Sequence, residues 1–129
     1  MRVGVPKEIK DHEDRVGLVP SSVAELVRHG HEVLIQAGAG LGAGLEDALY
    51  LAAGGRIVPD AETIFRDAEL VVKVKEPLAP ERKRLRPGQV LFTYLHLAPD
   101  RAQTQELLQS GATAPGMLVT QKWITPSTM

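Results

Sequence analysis

The chain has 129 residues, 15 Lys and Arg against 16 Asp and Glu, a formal net charge of −1 and no cysteine. That length suffices for one domain with a real core, and the balanced charge gives no pull toward nucleic acid or an anionic membrane. Lack of a thiol excludes disulfides, thiolate metal sites and cysteine catalysis. No apolar run approaches membrane-spanning length, and Met1-Arg2-Val3-Gly4-Val5 reads as a strand rather than a signal peptide, so a soluble cytoplasmic protein is expected.

In chain order, residues 2–5 read as a short buried strand, followed by a charged loop from Lys7 to Arg15. Pro20-Ser21-Ser22 opens a helix, with Ser22 as cap and Glu25 three residues on in a capping-box pattern. Val23, Leu26 and Val27 form its apolar face and Gly30 ends it. Glu32 to Gln36 is a second strand. The glycine run Gly38-Ala39-Gly40-Leu41-Gly42-Ala43-Gly44 leads into a helical segment from Glu46 to Ala53, which Gly54-Gly55 breaks. Arg56 to Val58 is a brief strand, and Asp60 caps a helix to about Asp67. Leu70 to Lys75 reads as a strand, Pro80 to Leu85 as a short basic helix, and 90–95 as a further strand. Pro99 starts a helix to about Gln109, which Gly111 closes.

Strands alternating with helices imply parallel βαβ units. The expected fold is a single α/β domain of three layers, Rossmann-like or flavodoxin-like, with a mostly parallel sheet. Residues 112–129 differ: they hold Pro115, Gly116 and Pro126, with one possible sixth strand at Met117-Leu118-Val119. Trp123 there is expected to dock on its own or a neighbouring chain.

Three basic groups follow three strand ends: Arg15, Lys75 and His96. In an open α/β sheet the carboxyl edge of the strands is where ligands bind, so these groups frame a pocket for a small anion. Arg15 can clamp a carboxylate with its fork or pair in solvent with Asp14 or Glu13. Lys75 can hold a carboxylate, polarise a carbonyl or form a Schiff base; alternatively it snorkels beside Glu76. A period of two puts Lys73 on the same strand face as Lys75. His96 can carry a proton near neutral pH, or simply sit at a strand end. Gly38-x-Gly40-x-x-Ala43 matches a relaxed dinucleotide fingerprint, with Asp60 about 20 residues on. The plainer reading is a glycine loop bordering a cleft, with Asp60 as a helix cap. The run Arg82-Lys83-Arg84-Leu85-Arg86 reads as a solvated helix face, and no metal-ligand spacing occurs.

Taken together, the stretch from Met1 to Lys10, Glu13-Asp14-Arg15-Val16, His29-Gly30-His31-Glu32-Val33, Gly38-Ala39-Gly40-Leu41-Gly42, Lys73-Val74-Lys75-Glu76-Pro77 and Leu91-Phe92-Thr93-Tyr94-Leu95-His96 resemble the alanine dehydrogenase and pyridine nucleotide transhydrogenase family. The resemblance covers residues 1–111, as the N-terminal substrate domain. It implies that Arg15 clamps the carboxylate of L-alanine or pyruvate. Lys75 would bind the substrate and polarise the pyruvate carbonyl, and His96 would act as acid and base. The implied reaction converts L-alanine, NAD and water to pyruvate, ammonia and NADH. It further implies that the glycine loop belongs to the substrate domain and that NAD binds a later domain. A chain ending at Met129 with a divergent 112–129 tail is then expected to be truncated, to bind no cofactor of its own, to be inactive alone and to form a homo-oligomer. Within the family, the transhydrogenase branch lacks the second lysine and the histidine, so the dehydrogenase branch is the better match. The alternatives are a transhydrogenase alpha subunit, a non-catalytic self-associating module, and an independent nucleotide-binding domain.

Overall fold

Val3, Gly4 and Val5 are buried in succession, as a parallel strand covered on both faces requires. The computed structural model describes residues 1–9, 12–75 and 77–93. In it this strand, β1 (Arg2–Val5), pairs in parallel with β2 (Glu32–Gln36) on one side and with β4 (Leu70–Val72) on the other. The outer strands β3 (Arg56–Val58) and β5 (Val90–Phe92) pair in parallel with β2 and β4. The described sheet has five strands in the order β3-β2-β1-β4-β5. This is the Rossmann order rather than the flavodoxin one, and every described pairing is parallel.

Side chains alternate across β2 and divide the core in two. Val33 and Ile35 join Val3, Val5, Val23 of α1 (Pro20–Arg28) and Tyr50 of α2 (Asp47–Ala52) on one face. Leu34 packs with Val58 and Ile64 of α3 (Ala61–Asp67) on the other. The three layers follow from that division. Ile35, Ile64 and Phe65 are fully buried, each worth roughly 1.5–3 kcal/mol of apolar transfer. The buried Tyr50 donates its hydroxyl proton to the Leu18 carbonyl at 2.8 Å, which satisfies its one polar atom.

Three expectations shift. α1 begins at Pro20 with Val19 as its cap and no side-chain cap bond, so Ser22 lies inside the first turn. Proline's fixed φ suits the first helical position and draws the start forward. Glu25 then pairs with Arg28 at 2.6 Å instead of closing a capping box. The fourth strand stops at Val72, not Lys75. The basic helix shrinks to α4 (Ala79–Arg82), and its Arg82 is buried, donating to the Pro77 carbonyl at 2.8 Å. Only Lys83, Arg84 and Arg86 of that run are exposed. The 90–95 strand is described only as far as Thr93, with β5 ending at Phe92; residues 94–95, the helix from Pro99, Trp123 and the 112–129 tail lie outside the described residues.

Candidate functional site

From β1 the chain runs outward through β2 to β3, then returns to β1's other side as β4. The carboxyl ends of β1 and β4 therefore flank the point where strand order reverses, and the loops leaving them border a crevice. The loop after β1 carries Glu8, Glu13 and Arg15, and the loop after β4 carries Lys73 and Lys75. Gly17 lets the first loop pass close to the second, because a Cβ there would collide with the Val72 carbonyl.

Arg15 and Lys75 meet at one carboxylate. The Arg15 guanidinium donates from Nε and Nη2 to the two oxygens of Glu13, each at 3.0 Å. The Arg15 backbone N–H adds a third bond to Glu13 at 2.8 Å. Lys75 Nζ stands 3.9 Å from Glu13 Oε1. The Glu13 side chain is only 3% exposed, whereas Arg15 is 68% exposed. Hydrogen bonds from the Arg15 side chain lower the Glu13 pKa from 4.5 to about 2; the Arg15 backbone bond and the charges of Arg15 and Lys75 act the same way, against burial. Glu13, Arg15, Lys7 and Glu8 line a cleft of about 190 Å³ together with Leu41 and Gly42.

Beneath Lys75 lies a buried charge cluster that fixes where it stands. Lys73 Nζ is 2.9 Å from Glu8 Oε1 and 3.5 Å from Glu81 Oε2, with all three side chains no more than 2% exposed. Glu8 also accepts the N–H of Val74 at 2.9 Å and of Lys75 at 3.2 Å. The Lys75 carbonyl accepts from Lys73 Nζ at 2.9 Å and from Thr93 Oγ1 at 2.8 Å. Both oxygens of Glu8 thus face donors, so an amide in its place would set its NH₂ against one of them. Burial raises the pKa of Glu81, with the Lys73 charge opposing.

That cluster explains why β4 ends early. Lys73 N–H still bonds the Phe92 carbonyl at 3.1 Å, but the next two N–H groups turn to Glu8 and leave the sheet. Lys73 and Lys75 consequently do not share an exposed face. The first is interior and the second, 39% exposed, is at the rim. The structure thus brings Arg15 and Lys75 together; His96 lies outside the described residues. Sequence reasoning missed Glu8 and Glu81. Glu13 was visible only as a local partner of Arg15, and nothing local connects Glu8 to a lysine 65 residues away.

The glycine run has other work. Its Gly38 N–H is taken by Asp47 at 2.9 Å. The N–H groups of Ala39, Leu41, Ala43 and Gly44 close successive turns within the loop. A Cβ on Gly40 would stand 2.6 Å from the Leu45 carbonyl and 2.8 Å from the Tyr50 ring. Asp60 is a helix cap, accepting Thr63 N–H at 2.9 Å and Thr63 Oγ1 at 2.7 Å. A run with five of its amides already bonded, one of them to the Asp47 carboxylate, does not fit a dinucleotide pyrophosphate. Among the described residues there is no cluster of three His, Asp or Glu able to hold a metal, and no helix long and apolar enough to cross a membrane.

The profile of the family described as "Alanine dehydrogenase/PNT, N-terminal domain" matches residues 4–122. The alanine dehydrogenase of Mycobacterium tuberculosis (strain ATCC 25618 / H37Rv) is 57% identical over 114 residues, 88% of this chain and 31% of the relative. That of Bacillus subtilis (strain 168) is 51% identical over 114 residues, 88% of this chain and 30% of the relative. Among solved structures, an L-alanine dehydrogenase superimposes with a TM-score of 0.86 at 53% identity, covering 88% of this chain and 31% of that one. A transhydrogenase from Sinorhizobium meliloti superimposes with a TM-score of 0.82 at 29% identity, covering 88% and 32%. The chain spans about a third of the length of these relatives.

Proposed function

The chain belongs to the alanine dehydrogenase/PNT family, matching its N-terminal domain, and from that premise we propose that it is the substrate-holding part of an NAD-dependent alanine dehydrogenase. The parent reaction would be L-alanine, NAD and water to pyruvate, ammonia and NADH. The dehydrogenase reading is preferred to a transhydrogenase alpha subunit because identity is 53% to the L-alanine dehydrogenase structure against 29% to the transhydrogenase.

One observation carries the reading: two cations from separate loops converge on a single carboxylate at the strand-order switch point. A group that can hold Glu13 can hold the carboxylate of a small amino or keto acid. Arg15 offers a planar fork for both oxygens. Lys75 offers a point charge and a proton, which suits polarising a keto oxygen. His96, carried over from the resemblance, would give and take the proton as ammonia adds to and leaves the substrate carbon. NAD, when bound, supplies the hydride acceptor, and its seat would lie outside the described residues. Cytoplasmic location and a homo-oligomer belong to the same proposal.

Pyruvate titrated into the isotope-labelled chain tests it. The wild type is expected to bind weakly and saturably, with shifts in the 13–17 and 73–75 loops, and Arg15→Ala to weaken binding about tenfold or more. Unchanged binding in that variant removes Arg15 from the site. L-alanine with NAD is expected to yield no NADH from this chain, since hydride transfer needs donor and acceptor in near-attack contact.

A further inference from the structure

The seat described above already contains an anion. Glu13 places both carboxylate oxygens on the Arg15 fork and one of them 3.9 Å from Lys75. Its side chain is 3% exposed, covered in a loop whose neighbours Asp14 and Arg15 are open to solvent. Only Asp14 separates it from Arg15, so the tether is short and its effective concentration at the fork is high.

We propose that Glu13 is a built-in occupant of the anion seat, a tethered carboxylate that an incoming monocarboxylate must displace from Arg15 and Lys75. The inference rests on the reading of Arg15 and Lys75 as the substrate clamp and adds the residue that sets its affinity. The geometry carries it: Glu13 holds the Nε–Nη2 edge of the Arg15 guanidinium and stands 3.9 Å from Lys75, so a ligand carboxylate that is to bridge that edge and Lys75 together must take its place. Glu13 is ionised throughout the physiological range, so the competition is between charges of one sign. Glu8 and Asp14 line the same cleft and Lys7 offsets them in part, so a displaced Glu13 must turn toward solvent rather than deeper. The consequence is a weak site in which part of the ligand's binding energy is spent releasing Glu13.

Pyruvate and acetate are titrated at neutral pH into the wild type, Glu13→Gln and Glu13→Asp, followed by backbone amide shifts and, in the wild type, the Glu13 carboxyl ¹³C resonance. Glu13→Gln is expected to bind both ligands about tenfold more tightly, the factor a single charge-assisted bond carries. Glu13→Asp, which keeps the charge but shortens the reach, should fall between. It serves as the test if the Gln variant does not fold. In the wild type the Glu13 carboxyl resonance should move in step with ligand saturation. Equal or weaker binding by Glu13→Gln overturns the inference, because Glu13 would then support the fork rather than block it. Tighter acetate binding without preference for pyruvate upholds the occupied seat but removes the keto-acid reading. Failure of every variant to bind either ligand removes both.

Discussion

Lys73→Met tests the buried cluster that positions Lys75. Lysine and methionine are similar in length, so the substitution removes the ammonium while leaving most of the packing. What remains is Glu8 and Glu81 without their shared cation, each 2% exposed. Glu8 would lose a 2.9 Å bond, Glu81 its counter-ion at 3.5 Å, and the Lys75 carbonyl one of its two donors. Removing one partner of a buried pair costs about 3–5 kcal/mol, because a charge is left unpaired in low dielectric. Against a domain stability of about 5–15 kcal/mol that is about a fifth or more of the total. The deficit should depend on pH with a definite sign. Burial holds the Glu81 pKa above its ordinary 4.5, and the Lys73 charge restrains that rise. Without Lys73 the rise grows. A carboxyl whose folded pKa exceeds its unfolded value destabilises above that window, and the penalty fades as pH falls toward the unfolded value. Urea unfolding at pH 7 and pH 5, read by fluorescence or circular dichroism, should show a deficit of about 3–5 kcal/mol at pH 7 that is smaller at pH 5. A deficit under about 1 kcal/mol, the range of exposed pairs, or one equal at both pH values, would refute the reasoning.

The other expectations use the same measurements. Glu81→Gln keeps an oxygen for the Leu78 N–H bond at 3.0 Å but sets its NH₂ against the Lys73 ammonium, which stays paired with Glu8; it should cost about 1–3 kcal/mol in urea, and a loss comparable to Lys73→Met would show that Glu81 is as essential an anion as Glu8. Asp60→Ala should cost about 1 kcal/mol as a lost helix cap, while NAD titrated into either protein gives the same null response; nucleotide binding abolished by the substitution would restore the dinucleotide reading. Gly40→Ala should lower the melting temperature through about 1–3 kcal/mol of overpacking against Leu45 and Tyr50, and an unchanged melt would mean that loop has slack.

Where signals were local, the sequence was legible. β3 at Arg56–Val58 and α3 ending at Asp67 lie where expected, because the Gly54-Gly55 break and the Asp60 cap act within four residues. The end of β4 was not legible. Alternation predicts where side chains point only while the strand lasts, and what stops this strand is a carboxylate 66 residues away taking the Val74 N–H. The same distance hid the role of Glu8, which in the sequence is one acid among several in a charged loop. Of the candidate site, Arg15 and Glu13 could be paired by proximity. That Arg15 and Lys75 share a pocket was expected from the strand-end rule; that they meet at Glu13 depends on β1 and β4 being neighbours, a fact of strand order that no local pattern encodes.

The two lysines show how the fold divides labour between similar residues. They lie two positions apart with equal charge, yet one is interior and one is at the rim. Glu8 makes the division: by accepting from Lys73, Val74 and Lys75 together it draws one ammonium inward and bends the backbone so that the other emerges beside Glu13. The inner charge is satisfied by two carboxylates and is thus a poor ligand for anything mobile. The outer charge lies 3.9 Å from one oxygen, beyond hydrogen-bond length. A cation held that loosely, on a backbone held that firmly, can exchange the Glu13 oxygen for a ligand's while its own backbone stays in place, so the reorganisation falls on Glu13 and not on the lysine.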